Sequence, residues 1–169
     1  ISERVNRNPA FGVRLGKAEQ RKIRAFCIDE HVQIQLAVEG RHELHSFGII
    51  LALNTGIRLG EMLGLKWEDI DLDAHTIHIY RTLGRLNRVV DGKVLRGKDM
   101  KNGEHSTEIA IREPKTDFAD RVIPIFDELW EALMSYKQRQ DALKSAFSSV
   151  YIDQGLVFCN GLGKWVDPK

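Results

Sequence analysis

The sequence is poor in the features that mark most specialised protein classes. Its two cysteines, Cys27 and Cys159, lie far apart, each among apolar neighbours, which suits buried thiols better than a disulfide or a metal pair. The longest apolar run falls far short of the ~20 residues of a membrane span, and Ile1 opens no signal peptide with a basic start. An intracellular, cytoplasmic location with no membrane partner is expected. Metal and nucleotide signatures are also missing. His42 and His45, like His75 and His78, stand three residues apart with no third ligand type nearby, so no zinc site is expected. Gly161-Leu162-Gly163-Lys164 lacks the spacing and the Ser/Thr of a phosphate loop. No internal repeat or low-complexity tract appears.

What is present suits one folded unit. The chain has 169 residues, 43% of them apolar, enough to bury a core without staples. A net charge of +1 does not in itself argue for nucleic acid, and its distribution is more informative than its sum. Between Arg81 and Lys101 stand seven basic residues (Arg81, Arg85, Arg88, Lys93, Arg96, Lys98 and Lys101) against Asp91 and Asp99. Such a run is either solvated surface or a track for a phosphate backbone.

Periodicity predicts an α+β fold, mainly helical, with a small three-stranded antiparallel sheet. Residues 1–14, with Asn8-Pro9, read as a linker. Lys17–Ile28 reads as an amphipathic helix, and His42–Asn54, apolar nearly all round, as a buried helix that the Thr55-Gly56 turn closes. A short helix over Arg58–Gly64 then carries Arg58 and Glu61 on one face. Alternation at Thr76–Arg81, at Ile109 and Ile111, and at Val122–Ile125 predicts the three strands, with a hairpin around Glu113–Asp120 joining the last two. Gly84–Thr107 is expected to be a long polar insertion. Phe126–Phe147 is the clearest helix, with Leu129, Leu133, Tyr136 and Leu143 on one face and Asp127 as its cap. Leu156–Phe158 reads as a short strand, and 161–168 is rich in turns.

Arg58 is the most informative residue. In LALNTGIRLGEMLGLKWEDIDL, residues 51–72, it interrupts an apolar helical pattern directly after a Thr-Gly turn. A guanidinium on the buried side of a helix needs an anionic partner, and its planar fork fits a phosphate bidentately. The alternative is an ordinary ion pair with Glu61, Glu68 or Asp69.

The pattern formed by Thr55, Gly56, Arg58, Glu61, Leu65, Trp67, Asp69, Ile70 and Asp71 resembles the tyrosine recombinase (phage integrase) family around its first catalytic arginine. The resemblance implies that Arg58 is that arginine and that Glu61 orients it. Lys115, in Pro114-Lys115-Thr116 ahead of Arg121 and Val122-Ile123-Pro124, resembles the family's catalytic lysine, a general acid towards the leaving 5′-oxygen. The basic run and Arg121 would contact DNA. His78-Ile79-Tyr80-Arg81 spells the family's His-x-x-Arg but comes too early and in a strand pattern, so it reads as coincidence.

The resemblance further implies site-specific DNA recombination or integration through a 3′-phosphotyrosine intermediate, as in mobile genetic elements. It requires no metal or cofactor. The implied partners are a double-stranded DNA attachment site and the other subunits of a synaptic tetramer. Residues 15–169 would be the front part of a catalytic domain, truncated before its second arginine and its nucleophile, and 1–14 the join to an upstream DNA-binding domain. Tyr80, Tyr136 and Tyr151 come too early to be the nucleophile, so this stretch alone is expected to be inactive. A shortened relic that only binds DNA or a partner is the alternative reading.

Overall fold

The computed structural model describes residues 12–13, 24–41, 43–96, 105–112 and 120–168. Among these residues, four helices, α1 (Ile28–Val38), α2 (Leu44–Thr55), α3 (Leu59–Gly64) and α4 (Asp127–Ala146), accompany seven short strands. No helix among the described residues is long and apolar enough to cross a membrane.

The starts of α1, of α3 and of the 3₁₀ turn Trp67–Asp69 follow one local rule. The carboxylate of Glu30 accepts the Cys27 N–H at 3.0 Å, that of Glu61 the Arg58 N–H at 3.0 Å, and that of Asp69 the Lys66 N–H at 2.8 Å. An acidic residue three places on thus satisfies a backbone donor that the helix leaves open. This corrects the first expected helix: residues 24–27 lie outside any helix, and α1 begins only at Ile28. Most of Lys17–Ile28 falls outside the described residues. Cys27 is exposed, not buried, because it sits at this helix start outside the core, whereas Cys159 is buried. In α4, Phe126 occupies the cap position and Asp127 the first turn, where a carboxylate favours the helix dipole.

The expected three-stranded sheet exists with different members. β1 (Ile70–Asp71), β2 (Thr76–Ile79) and β7 (Arg121–Pro124) form it, in the order β1-β2-β7. β6 (Thr107–Arg112) pairs instead with β3 (Thr82–Asn87) in a second antiparallel sheet. The supposed insertion therefore contributes β3 and also a hairpin, β4 (Val89–Val90) with β5 (Lys93–Val94). That hairpin turns at Asp91-Gly92, with φ of 49° and 73°, the left-handed pair that a two-residue hairpin turn demands. Residues 156–158 form no ladder, only the bridge between Lys66 and Leu156.

The core joins both layers. Phe47 of α2 stacks on Tyr136 of α4, with centroids 4.6 Å apart, and on Phe158 at 5.6 Å. Gln140, on the same face of α4 one turn beyond Tyr136, is buried. Its amide accepts from Trp67 Nε1 at 2.6 Å and donates to the Leu156 and Val157 carbonyls at 3.1 Å. That satisfied network holds the last segment on the core. Leu143, expected on the buried face, is 38% exposed.

Candidate active site

The Thr55-Gly56 turn aims the chain into the site. Gly56 adopts φ 64°, and its N–H donates to the Ala52 carbonyl at 2.9 Å, closing α2. The Thr55 hydroxyl caps the Leu51 carbonyl at 2.6 Å and accepts the Ile57 N–H at 3.3 Å. Arg58 follows as the residue that starts α3.

α3 is pressed hard against β3. A Cβ on Gly60 would stand 2.5 Å from Thr82 Oγ1 and 2.9 Å from the Leu83 carbonyl, and one on Gly64 3.0 Å from the Leu83 nitrogen. Only glycine permits so close an approach of helix to strand. The start of α3 is thereby fixed beside the break between β2 and β3.

Opposite that break lie the ends of two partner strands. Ile79 pairs with Arg121 and Thr82 with Arg112. Residues 113–119, with the expected hairpin and Lys115, fall between these two ends and outside the described residues.

Glu61 is the centre of the site. Its side chain is 8% exposed, whereas that of Arg58 is 74% exposed, the reverse of the burial expected from the sequence. The helical pattern placed Arg58 among apolar residues, but as the cap it points away from the face that α3 packs. Arg58 Nη1 reaches Glu61 Oε1 at 2.8 Å. Arg121 makes a fork on the same carboxylate, Nη2 to Oε2 at 2.7 Å and Nη1 to Oε1 at 3.3 Å.

Burial pushes the Glu61 carboxyl up, but hydrogen bonds from Arg121 and from the backbone and guanidinium of Arg58 outweigh it and bring the pKa to about 2. Glu61 is thus ionised across the physiological range. It balances one of two guanidinium charges and leaves an excess positive charge beside the exposed face of Arg58.

The remaining basic residues divide. Arg81 does not offer its guanidinium to solvent: the side chain is 10% exposed and bonds Asp69 at 2.5 Å and Glu68 at 3.0 Å. It fastens the 3₁₀ turn Trp67–Asp69 to the strand break, and the guanidinium stands 4.4 Å from the Tyr80 ring centroid. Arg85 pairs with Asp167 and bonds Thr107 Oγ1 at 2.7 Å. Arg88, Lys93 and Arg96 flank or lie on the β4–β5 hairpin. Lys98 and Lys101 are outside the described residues. His78 pairs with Asp120 at 2.7 Å, one residue ahead of Arg121.

The sequence reading missed the link from Arg121 to Glu61 and the packing role of Gly60 and Gly64. A lone carboxylate amid Leu59, Met62 and Leu63 was the available signal for a second cation.

No tyrosine in the chain is placed as a free nucleophile. Tyr136 is buried and donates to the Val157 carbonyl at 3.0 Å, and burial pushes its phenol up. Tyr151 contacts Cys159 Sγ at 3.4 Å, and burial, then that thiol, pushes it up as well. Tyr80 contacts Arg81, and its phenol is also raised, first by burial.

Comparison with known proteins bears on the family and the fold. The chain is 31% identical over 170 residues to a tyrosine recombinase XerC-like protein of Caldanaerobacter subterraneus subsp. tengcongensis, covering 95% of this chain and 40% of that protein. A tyrosine recombinase XerC of Xylella fastidiosa is 34% identical over 74 residues, 43% of this chain and 25% of its own length. Among solved structures, the Tn1549 transposon integrase in complex with transposon right end DNA superposes with a TM-score of 0.63 at 20% identity, over 96% of this chain and 47% of that one. XerA recombinase gives a TM-score of 0.53 at 19% identity, over 88% and 39%. The chain thus spans less than half the length of these relatives. Residues 20–161 match the phage integrase family, and the chain belongs to that family.

Proposed function

We propose that residues 15–169 form the front part of a tyrosine recombinase catalytic domain, joined through 1–14 to an upstream DNA-binding domain, and that the complete protein performs site-specific DNA recombination. The observation that carries this reading is the exposed Arg58 guanidinium, held from behind by buried Glu61. An ordinary surface ion pair leaves both partners wet. Here the carboxylate is buried and shared, so one cation is presented outward with an orientation fixed in advance, as stabilisation of a developing phosphate charge requires.

In the proposed reaction, Arg58 binds a non-bridging oxygen of the scissile phosphate. A tyrosine hydroxyl gives its proton to solvent as it attacks phosphorus, a phosphotyrosine bond forms at the 3′ side, and the bond to the 5′-oxygen breaks. Lys115 gives its proton to that leaving oxygen. The tyrosine comes from outside this stretch, because Tyr80, Tyr136 and Tyr151 are committed to internal contacts. The proposed partners are a double-stranded attachment site and the other subunits of a synaptic tetramer, with Arg88, Lys93, Arg96, Lys98 and Lys101 along the phosphate backbone.

The test is covalent capture. The complete natural chain, incubated with duplex DNA spanning the junctions that flank its gene, should give a denaturant-stable protein–DNA adduct, and the isolated 169-residue chain should give none. An adduct formed by the isolated chain, or none by the complete one, would overturn the proposal. Lys115→Ala should slow cleavage, and a 5′-bridging sulfur, whose thiolate leaves without a proton, should restore much of the rate; no restoration would remove Lys115 as the acid.

A further inference from the structure

We infer that Arg121 is a positioning residue that acts on the scissile phosphate through Glu61 and Arg58 and does not itself contact DNA; the inference rests on the recombinase reading above. Three observations carry it. First, Arg121 directs two guanidinium nitrogens at the two Glu61 oxygens, at 2.7 and 3.3 Å, the bidentate geometry that fixes both planes. Its side chain is 29% exposed, against 74% for Arg58.

Second, Glu61 uses those same two oxygens to hold Arg58, Oε2 on the backbone N–H at 3.0 Å and Oε1 on the guanidinium at 2.8 Å. Rotating the carboxylate to suit one arginine displaces the other. A change at position 121 is therefore felt at the outward guanidinium. Without the fork, buried Glu61 has one guanidinium left to neutralise it and draws Arg58 inward, away from a phosphate.

Third, Arg121 is the first residue of β7 and faces Ile79 across the ladder, and its neighbour Asp120 is tied to His78 at 2.7 Å. The two contacts pin this strand end at the break where the chain returns from the segment that contains Lys115. Arg121 thus ties that strand end to the carboxylate that orients Arg58.

A positioning role and a phosphate contact predict opposite readouts in the complete natural chain. With a duplex of its flanking junction, Arg121→Lys keeps the charge but loses the fork. Adduct formation should slow roughly 10- to 100-fold, the usual cost of disturbing a group that orients a reactive one, while DNA affinity and its salt dependence stay at wild-type values. A neutral methylphosphonate at the scissile position removes the charge that Arg58 offsets. If Arg121 acts through Arg58, the deficit of Arg121→Lys should shrink towards wild type on that substrate.

A wild-type cleavage rate in Arg121→Lys would overturn the inference and leave the recombinase reading intact. So would a salt slope reduced by about one, the signature of a lost phosphate contact, in Arg121→Gln, which removes the charge, or an equal deficit of Arg121→Lys on both substrates. Arg121→Gln, which keeps one donor towards Glu61, replaces the lysine variant if that one does not fold; if neither folds, Arg121 is a stability residue and the inference fails. A wild-type chain that forms no adduct overturns both readings.

Discussion

Two arginines share one carboxylate at the start of α3, and the energetics of that arrangement fall on Glu61. Its pKa is near 2 in the fold against about 4.5 outside it. A depressed carboxylate contributes stability that is complete above the unfolded value and is lost as pH falls through the folded one. The wild-type chain should therefore lose stability between about pH 4.5 and pH 2 through this group. At most about 3 kcal/mol is involved, less because Arg58 is largely wet. Urea unfolding of wild type and Glu61→Gln across that range checks this: Glu61→Gln should be less stable at neutral pH, and the gap should close in acid. A gap independent of pH would contradict it. Arg81 behaves as a structural residue, so Arg81→Gln should lower thermal stability by leaving buried Asp69 without its cation, by about 2–4 kcal/mol.

Packing at the scale of elements depends on a few special residues. Gly60→Ala should destabilise by about 1–3 kcal/mol, the cost of forcing a methyl into a filled contact, because the new carbon meets Thr82 Oγ1 at 2.5 Å and backbone at 2.9 Å. Gly84→Ala, with nothing within 4 Å, is the control and should be close to neutral in the same unfolding assay. Helices α2 and α4 were legible because their apolar residues recur over three or more turns. The sheet was less so. β2, β6 and β7 were found as strands, but alternation in one strand does not say which partner it takes. The hairpin β4–β5 carried a readable signal in Asp91-Gly92 that the charge of its surroundings masked. The start of α1 was also written in Glu30, three residues beyond Cys27, a signal that the apolar pattern ahead of Ile28 masked.

Across the whole molecule, the site was only partly legible for the same reason. Arg58 and Glu61 stand three residues apart, so their contact could be read from spacing, whereas Arg121 joins them only through tertiary structure, 60 residues from Glu61. The basic run also divides in space in a way that charge counting cannot show. Arg81 and Arg85 are engaged by Asp69, Glu68 and Asp167, and the proposed DNA contacts include residues around the β4–β5 hairpin. Neutralising Arg88, Lys93 and Arg96 together should lower the dependence of log affinity on log salt by up to about three. An unchanged slope would place the DNA elsewhere.

On the recombinase reading, Arg58 serves the reaction more than the binding of DNA, since affinity is spread over many phosphates and only one of them reacts. The most direct measurement compares wild type with Arg58→Ala in the complete natural chain, reading equilibrium affinity and the rate of covalent adduct formation on one duplex at saturating protein. Arg58→Ala should keep near-wild-type affinity and lose adduct formation. Retained cleavage, or a loss of cleavage fully explained by lost binding, would contradict it.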